Sequence, residues 1–194
     1  MRRTCLQIDP VALAVLAGLL LTERTETVCA LGLAVAVHEV GHLLAARWMN
    51  IRVEKIALGL LGARIGISGV QSYQKEALLA AAGPAASFLC AVLAAPFFKM
   101  QFFASVCTLS LILGLLNLLP VQTFDGGRVL HCLLAGRFGE TIAGRWMRWI
   151  SFGFLTLLWL FSIYLLLRAG SGISWLGFSV TLLSSFFDGE NPDF

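Results

Sequence analysis

The sequence predicts an all-α polytopic membrane protein of about six transmembrane helices, with a small β-hairpin or re-entrant ribbon inserted between two of them. Two observations carry this class. Hydrophobic residues make up 58% of the 194 residues and charged residues 13%, at a mean hydropathy of +0.85, whereas a soluble domain needs about 25–35% charged groups on its surface. Most of the apolar stretches run about 15–22 residues between short polar links, which suits helices; a transmembrane barrel would alternate over segments of about 10 residues. The whole chain, 1–194, reads as one integral membrane domain.

The first apolar run starts at Pro10 and lasts twelve residues, about 18 Å of helix against a hydrocarbon core of about 30 Å. Glu23, Arg24 and Glu26 follow it without a small-x-small cleavage site. That favours a short retained helix over residues 10–22, extended by Leu6 and Ile8, over a cleaved signal peptide. A second helix is expected over residues 28–49, where Ala30, Ala34, Gly41 and Ala45 permit close approach of neighbouring helices. Residues 51–70 mix β-branched side chains with glycines at 59, 62, 66 and 69, which predicts the ribbon, with Gly62 near its turn. A third helix over residues 76–95 is rich in small residues and interrupted at Gly83 and Pro84. A proline there removes a backbone hydrogen bond, so the break is expected to face protein or a wet cavity.

The fourth span, residues 102–119, stops at Asn117, Pro120, Asp125, Gly126 and Gly127, a cluster expected to end the helix and bend the chain. A short amphipathic helix over residues 128–135, closed by Gly136, should follow. The fifth span, residues 146–167, opens on Trp146 and Trp149 as an interfacial belt would. A weaker sixth stretch, residues 173–187, precedes an acidic tail.

With the N-terminus in the cytoplasm and six crossings, eleven of the fourteen Lys and Arg fall on the cytoplasmic side, leaving Arg24, Lys99 and Arg168 opposite. The net charge of +3 is therefore a topology signal; it forms no basic, aromatic-interleaved surface for nucleic acid. Cys5, Cys29, Cys90, Cys107 and Cys132 lie far apart with no C-x-x-C pair, as buried small hydrophobes would, and not as a disulfide framework or thiolate metal site.

The chemistry sits in the second helix. His38, Glu39 and His42 interrupt an apolar run, although a charge at the bilayer centre costs about 2.5–3.5 kcal/mol on the most lenient scale. Such residues need partners, and a metal ion is the natural one. Positions i and i+4 share a helix face, so His38 and His42 can offer two imidazoles to one Zn²⁺. Glu39 falls about 100° round the helix, placed to take a proton from a water activated there. A pair of polar residues bonding neighbouring helices is the plainer alternative. The bend after residue 119 could return Asp125 to the metal as a third ligand, or leave it on the surface of an ordinary turn.

His38-Glu39-Val40-Gly41-His42 on a membrane helix, followed by Asn117, Pro120 and Asp125-Gly126-Gly127, resembles the site-2 protease family of intramembrane zinc metalloproteases. The resemblance covers roughly residues 28–134, the family's three-helix catalytic core, with residues 1–27 and 135–194 as flanks. It implies His38, His42 and Asp125 as ligands of one Zn²⁺ per chain and Glu39 as the catalytic acid and base. Asn117 would either donate to the oxyanion or cap broken helix backbone, and Pro120 and Gly126 would shape the turn. The family's G-P-x-x-N element reads Gly83-Pro84-Ala85-Ala86-Ser87 here, with Ser87 standing where the family carries Asn. The compact layout is similar to the branch containing the stage IV sporulation protease, which cleaves a membrane-tethered sigma-factor precursor. Such a protein would act in a bacterial cell membrane, with its site toward the cytoplasm. Its partners would be a substrate with a transmembrane segment, the bilayer and regulatory membrane proteins.

Four rivals are weaker. The soluble H-E-x-x-H-x-x-G-x-x-H proteases need a third His, but Ala45 and Trp48 hold those positions. A downstream Glu serves another class; here it would be Glu76, at a helix start where an acid is already favoured by the dipole. A membrane zinc transporter or a non-catalytic scaffold would need, respectively, a repeat of the motif-bearing segments that the sequence does not show, or another reason for Glu39.

Overall fold

The computed structural model describes residues 5–8, 24–59, 62–68, 72–169 and 180. The expected stretches at residues 10–22 and, apart from Val180, 173–187 lie outside these. The chain divides into two compact units, Met1–Leu118 and Leu119–Phe194.

The first unit holds three helices, α1 (Thr25–Trp48), α2 (Tyr73–Ala94) and α3 (Gln101–Asn117), with a 3₁₀ turn at Ala95–Phe97. α1 packs on α2 and α3, and α2 on α3. Their contact faces are stripes of small residues. Ala30, Ala34, His38, Gly41, His42 and Ala46 are the buried positions of α1, and Ala80, Gly83, Pro84, Ser87, Ala91 and Ala94 lie among those of α2. Without a hydrophobic drive between helices in lipid, such stripes let backbones approach closely enough for dispersion to hold them. A Cβ on Gly41 would come within 2.6 Å of the Ala82 carbonyl oxygen on α2.

α1 stops at a defined signal. Asn50 takes φ +55°, the left-handed region that Asn tolerates better than most residues, and Ile51 N–H donates to the Ala46 carbonyl at 2.9 Å. The chain then enters β2 (Arg52–Gly59), which pairs antiparallel with β3 (Gly62–Ser68), Gly59 facing Gly62. A third strand, β1 (Cys5–Ile8), runs parallel to β2 on its other side, giving the order β1-β2-β3. Leu6 and Ile8 are thus strand residues and do not extend a helix as expected; period-two alternation in a four-residue segment is too short a signal to read against a neighbouring apolar run.

α2 is also not interrupted at Gly83 and Pro84, as the sequence suggested; it continues through both. Proline's ring ordinarily clashes with the Cβ of the residue before it, and Gly83 has none, so the helical conformation survives. What is lost is one donor to the Ala80 carbonyl. Both residues face protein.

In the second unit, α4 (Asp125–Phe138) packs on α5 (Glu140–Ala169). The expected short helix over residues 128–135 is longer at both ends: Gly126 and Gly127 lie in its first turn, and Gly136 lies inside it. Gly139, at φ +86°, is the residue that stops it.

Among the described residues, three helices are long and apolar enough to cross a membrane: Thr25–Trp48, Tyr73–Phe97 and Glu140–Tyr164; Gln101–Asn117 is apolar but shorter. Large apolar side chains such as Leu44, Leu78, Leu89, Leu93, Leu115 and Leu157 stand exposed along them. A surface of that kind needs hydrocarbon around it, so the protein is an integral membrane protein.

Candidate metal centre

The first unit brings four of the expected site residues together. His38 and His42, one turn apart on α1, are both buried, and their Nε2 atoms lie 3.3 Å apart. Each ring is held from behind by α2. His42 Nδ1–H donates to the Leu79 carbonyl at 2.8 Å, and His38 Nδ1 meets the Ser87 hydroxyl at 2.9 Å. A carbonyl can only accept, so Leu79 leaves His42 with a lone pair on Nε2, the metal-binding tautomer.

The spacing fits zinc. Tetrahedral coordination with Zn–N of about 2.0–2.1 Å sets two nitrogen ligands about 3.3 Å apart. Between the two rings α2 presents Gly83, where a Cβ would strike His42 Nε2 and come within 2.7 Å of His38 Nε2. The hydrogen of glycine therefore leaves clear the space onto which both lone pairs converge, a cradle that any side chain would fill. Gly83→Ala inverts the usual sign of that substitution. In a helix interior alanine ordinarily gains about 1 kcal/mol over glycine; here overpacking should cost about 1–3 kcal/mol and metal content should fall well below that of the parent, read by thermal unfolding and elemental analysis of the purified protein.

Glu39 follows His38 on α1 and is half-buried. Asn117, at the last position of α3, uses its side-chain amide to donate to the Leu113 carbonyl at 3.0 Å, one turn back.

In the second unit, Pro120 and its neighbours form the turn that delivers Asp125. Phe124 N–H donates to the Val121 carbonyl at 2.9 Å, Arg128 N–H to the Phe124 carbonyl at 3.2 Å, and Asp125 is the first residue of α4, buried at 8% exposure. Its carboxylate lies in the first turn, where the helix dipole favours negative charge, 3.9 Å from the Arg128 guanidinium. Gly127 is required by packing, since a Cβ would run into the Val121 carbonyl. The turn is also tied to α5: Gln122 N–H donates to Ser151 Oγ at 2.9 Å, and Ser151 is fully buried.

Sequence reasoning passed over two contributors. A serine in an apolar helix was the available sign of Ser151, since such a hydroxyl must find a partner in the bundle. Gly83, expected as part of a helix break and of the family's element, stands instead where a Cβ would meet both imidazoles. The Leu79 carbonyl left no sign, being backbone.

The sequence profile of peptidase family M50 matches residues 26–106 and 98–161 of the chain. A zinc metalloprotease of Methanocaldococcus jannaschii is 31% identical over 116 residues, 55% of this chain and 33% of that protein. Rip3 of Mycobacterium tuberculosis is 33% identical over 117 residues, 54% of this chain and 30% of its own length. The chain thus spans about one third of the length of these relatives. Among solved structures, the site-2 protease from Methanocaldococcus jannaschii superposes with a TM-score of 0.74 at 20% identity, over 97% of this chain and 92% of that one, which establishes a shared fold. With the profile running from the start of the histidine-bearing helix well into α5, the chain belongs to peptidase family M50.

Proposed function

We propose that the protein is an intramembrane zinc protease that hydrolyses a peptide bond within, or at the edge of, a transmembrane segment of another membrane protein. The observation that carries this reading is the buried imidazole pair, two Nε2 atoms 3.3 Å apart with a glycine opposite and a glutamate adjoining. A pair held this way suits one zinc, and the family resemblance offers Asp125 as the third ligand of a set that would leave a coordination position for reaction. Bound there, zinc would supply Lewis-acid polarisation and an acidified water. Glu39 accepts the proton of the attacking water and returns it to the departing amine. Asn117 either donates to the oxyanion or supports the end of α3, where its amide donates to the Leu113 carbonyl.

The substrate must expose its backbone, because a helix hides every peptide bond in its own ladder. Among the described residues β3 is the last strand of the sheet, and its outer edge suits an incoming strand, while β1 lies along the other side of β2. Positive-inside counting puts the Trp48 end of α1 at the cytoplasmic face, and His42 is six residues, about 9 Å, in from it. Cleavage there releases the cytoplasmic part of a membrane-tethered regulator; a sigma-factor precursor in a bacterial cell membrane is the substrate class that the family resemblance suggests.

Cleavage should therefore quicken when Gly, Asn or Pro is introduced near the scissile bond of a membrane substrate and slow when Leu or Ala stiffens it, with the product terminus mapping to the cytoplasmic third of its membrane segment. Mass spectrometry of products across such a series makes the test. Rates indifferent to helix stability, or a cut on the far side of the bilayer, defeat the unwinding and orientation arguments.

A further inference from the structure

The two imidazoles are backed by groups of different chemistry. Leu79 offers His42 a carbonyl, which only accepts; Ser87 offers His38 a hydroxyl, which both donates and accepts. The supports lie two turns apart on one face of α2, with Gly83 midway between them. His42 is consequently fixed with its proton on Nδ1. Ser87 Oγ can take the same part for His38, accepting Nδ1–H at 2.9 Å. For both Nε2 atoms to present lone pairs to one metal, His38 must carry its proton on Nδ1, and Ser87 Oγ is the acceptor placed to hold it there.

We propose that Ser87 is a positioning residue for the metal, a hydroxyl that accepts His38 Nδ1–H and turns its Nε2 lone pair to the ion, as the Leu79 carbonyl does for His42. The proposal rests on His38 and His42 being zinc ligands. Ser87 is fully buried, so bulk water does not replace its hydroxyl when it is removed. Outer partners of ligating histidines are typically worth 10–100-fold in metal affinity, and a loss of that size is the expected result for Ser87→Ala.

The experiment uses the full chain in detergent or nanodiscs, stripped of metal and titrated with zinc against a chromophoric chelator. Ring-¹⁵N NMR follows the tautomers; with only three histidines in the chain, His38, His42 and His131 can be resolved. Expected are Nδ1–H on both His38 and His42 in the zinc-loaded protein and about 10–100-fold weaker zinc binding in Ser87→Ala. Ser87→Thr, which keeps the hydroxyl, should bind within a few-fold of parent, and Ser87→Val, of the same volume, should match Ser87→Ala. That pair carries the comparison if the alanine variant fails to fold. Ser110→Ala removes a fully buried serine from the neighbouring helix α3 and should leave affinity unchanged. Equal affinities for the Thr and Val variants, or Nε2–H on His38 in the zinc-loaded protein, overturn the proposal. A parent that takes up no stoichiometric zinc overturns the zinc reading itself, whereas zinc lost in His38→Ala but kept in Ser87→Val removes only the role of Ser87.

Discussion

Glu39→Gln should leave the fold and the zinc in place and lower the rate of peptide hydrolysis by about 10²–10⁴-fold, the contribution of a positioned general acid–base group. That is about 2.7–5.5 kcal/mol of transition-state stabilisation. The size follows from what the substitution keeps and removes. Gln has the shape and polarity of Glu and sits as easily on a half-buried helix position, but it cannot take a proton from the attacking water or hand one to the amine. The effect should appear in the single-turnover rate on a co-reconstituted membrane substrate, with zinc content measured on the same preparation. Cleavage near the parent rate would dismiss Glu39 as the base. Loss of zinc together with activity would make Glu39 a ligand. Zinc flux into proteoliposomes that is unchanged by the substitution, alongside a parent that cleaves nothing, would favour a transporter.

The chemistry of the histidine helix was legible because the membrane makes polar residues expensive: His38, Glu39 and His42 stand out in an apolar run, and helical spacing alone places the two imidazoles on one face. The helices of the first unit were legible for the same reason, as apolar runs of sufficient length. Their ends were less so. α4 begins at Asp125 despite two following glycines because its first turn packs tightly against the Val121 carbonyl, a tertiary constraint that local propensity does not contain. α2 survives Pro84 because the residue before it is glycine, a compensation visible only when the pair is considered together. The short strand Cys5–Ile8 is defined by its pairing with β2, nearly fifty residues away, and no local pattern reports a partner that distant. The supports behind the imidazoles divide along the same line. Ser87 was within reach of sequence reading, as a polar residue in a small-residue stripe, but the Leu79 carbonyl belongs to the backbone and any residue would supply it.

The largest effect on the metal itself is expected at Asp125. Purified parent protein should carry about one zinc per chain, and His38→Ala, His42→Ala and Asp125→Ala should each reduce this to a small fraction, since a three-ligand site deprived of one ligand holds zinc through two bonds only. The other candidates for the third ligand are Glu76 and His131; the first lies out of reach along its own helix and the second pairs within its own unit. Glu76 lies in the first turn of α2, seven residues and about 10 Å along the axis from Gly83, beyond the reach of a carboxylate side chain. His131 lies on α4 with Nε2 3.2 Å from Glu140. Glu76→Ala and His131→Ala should therefore keep the zinc. Asp125→Asn should be intermediate, because the amide oxygen still ligates but no longer neutralises the charge of the ion. Elemental analysis of the six variants beside the parent decides the assignment. Zinc that persists in Asp125→Ala and disappears in Glu76→Ala would move the third ligand to α2 and leave Asp125 with the dipole of its own helix as its only electrostatic role.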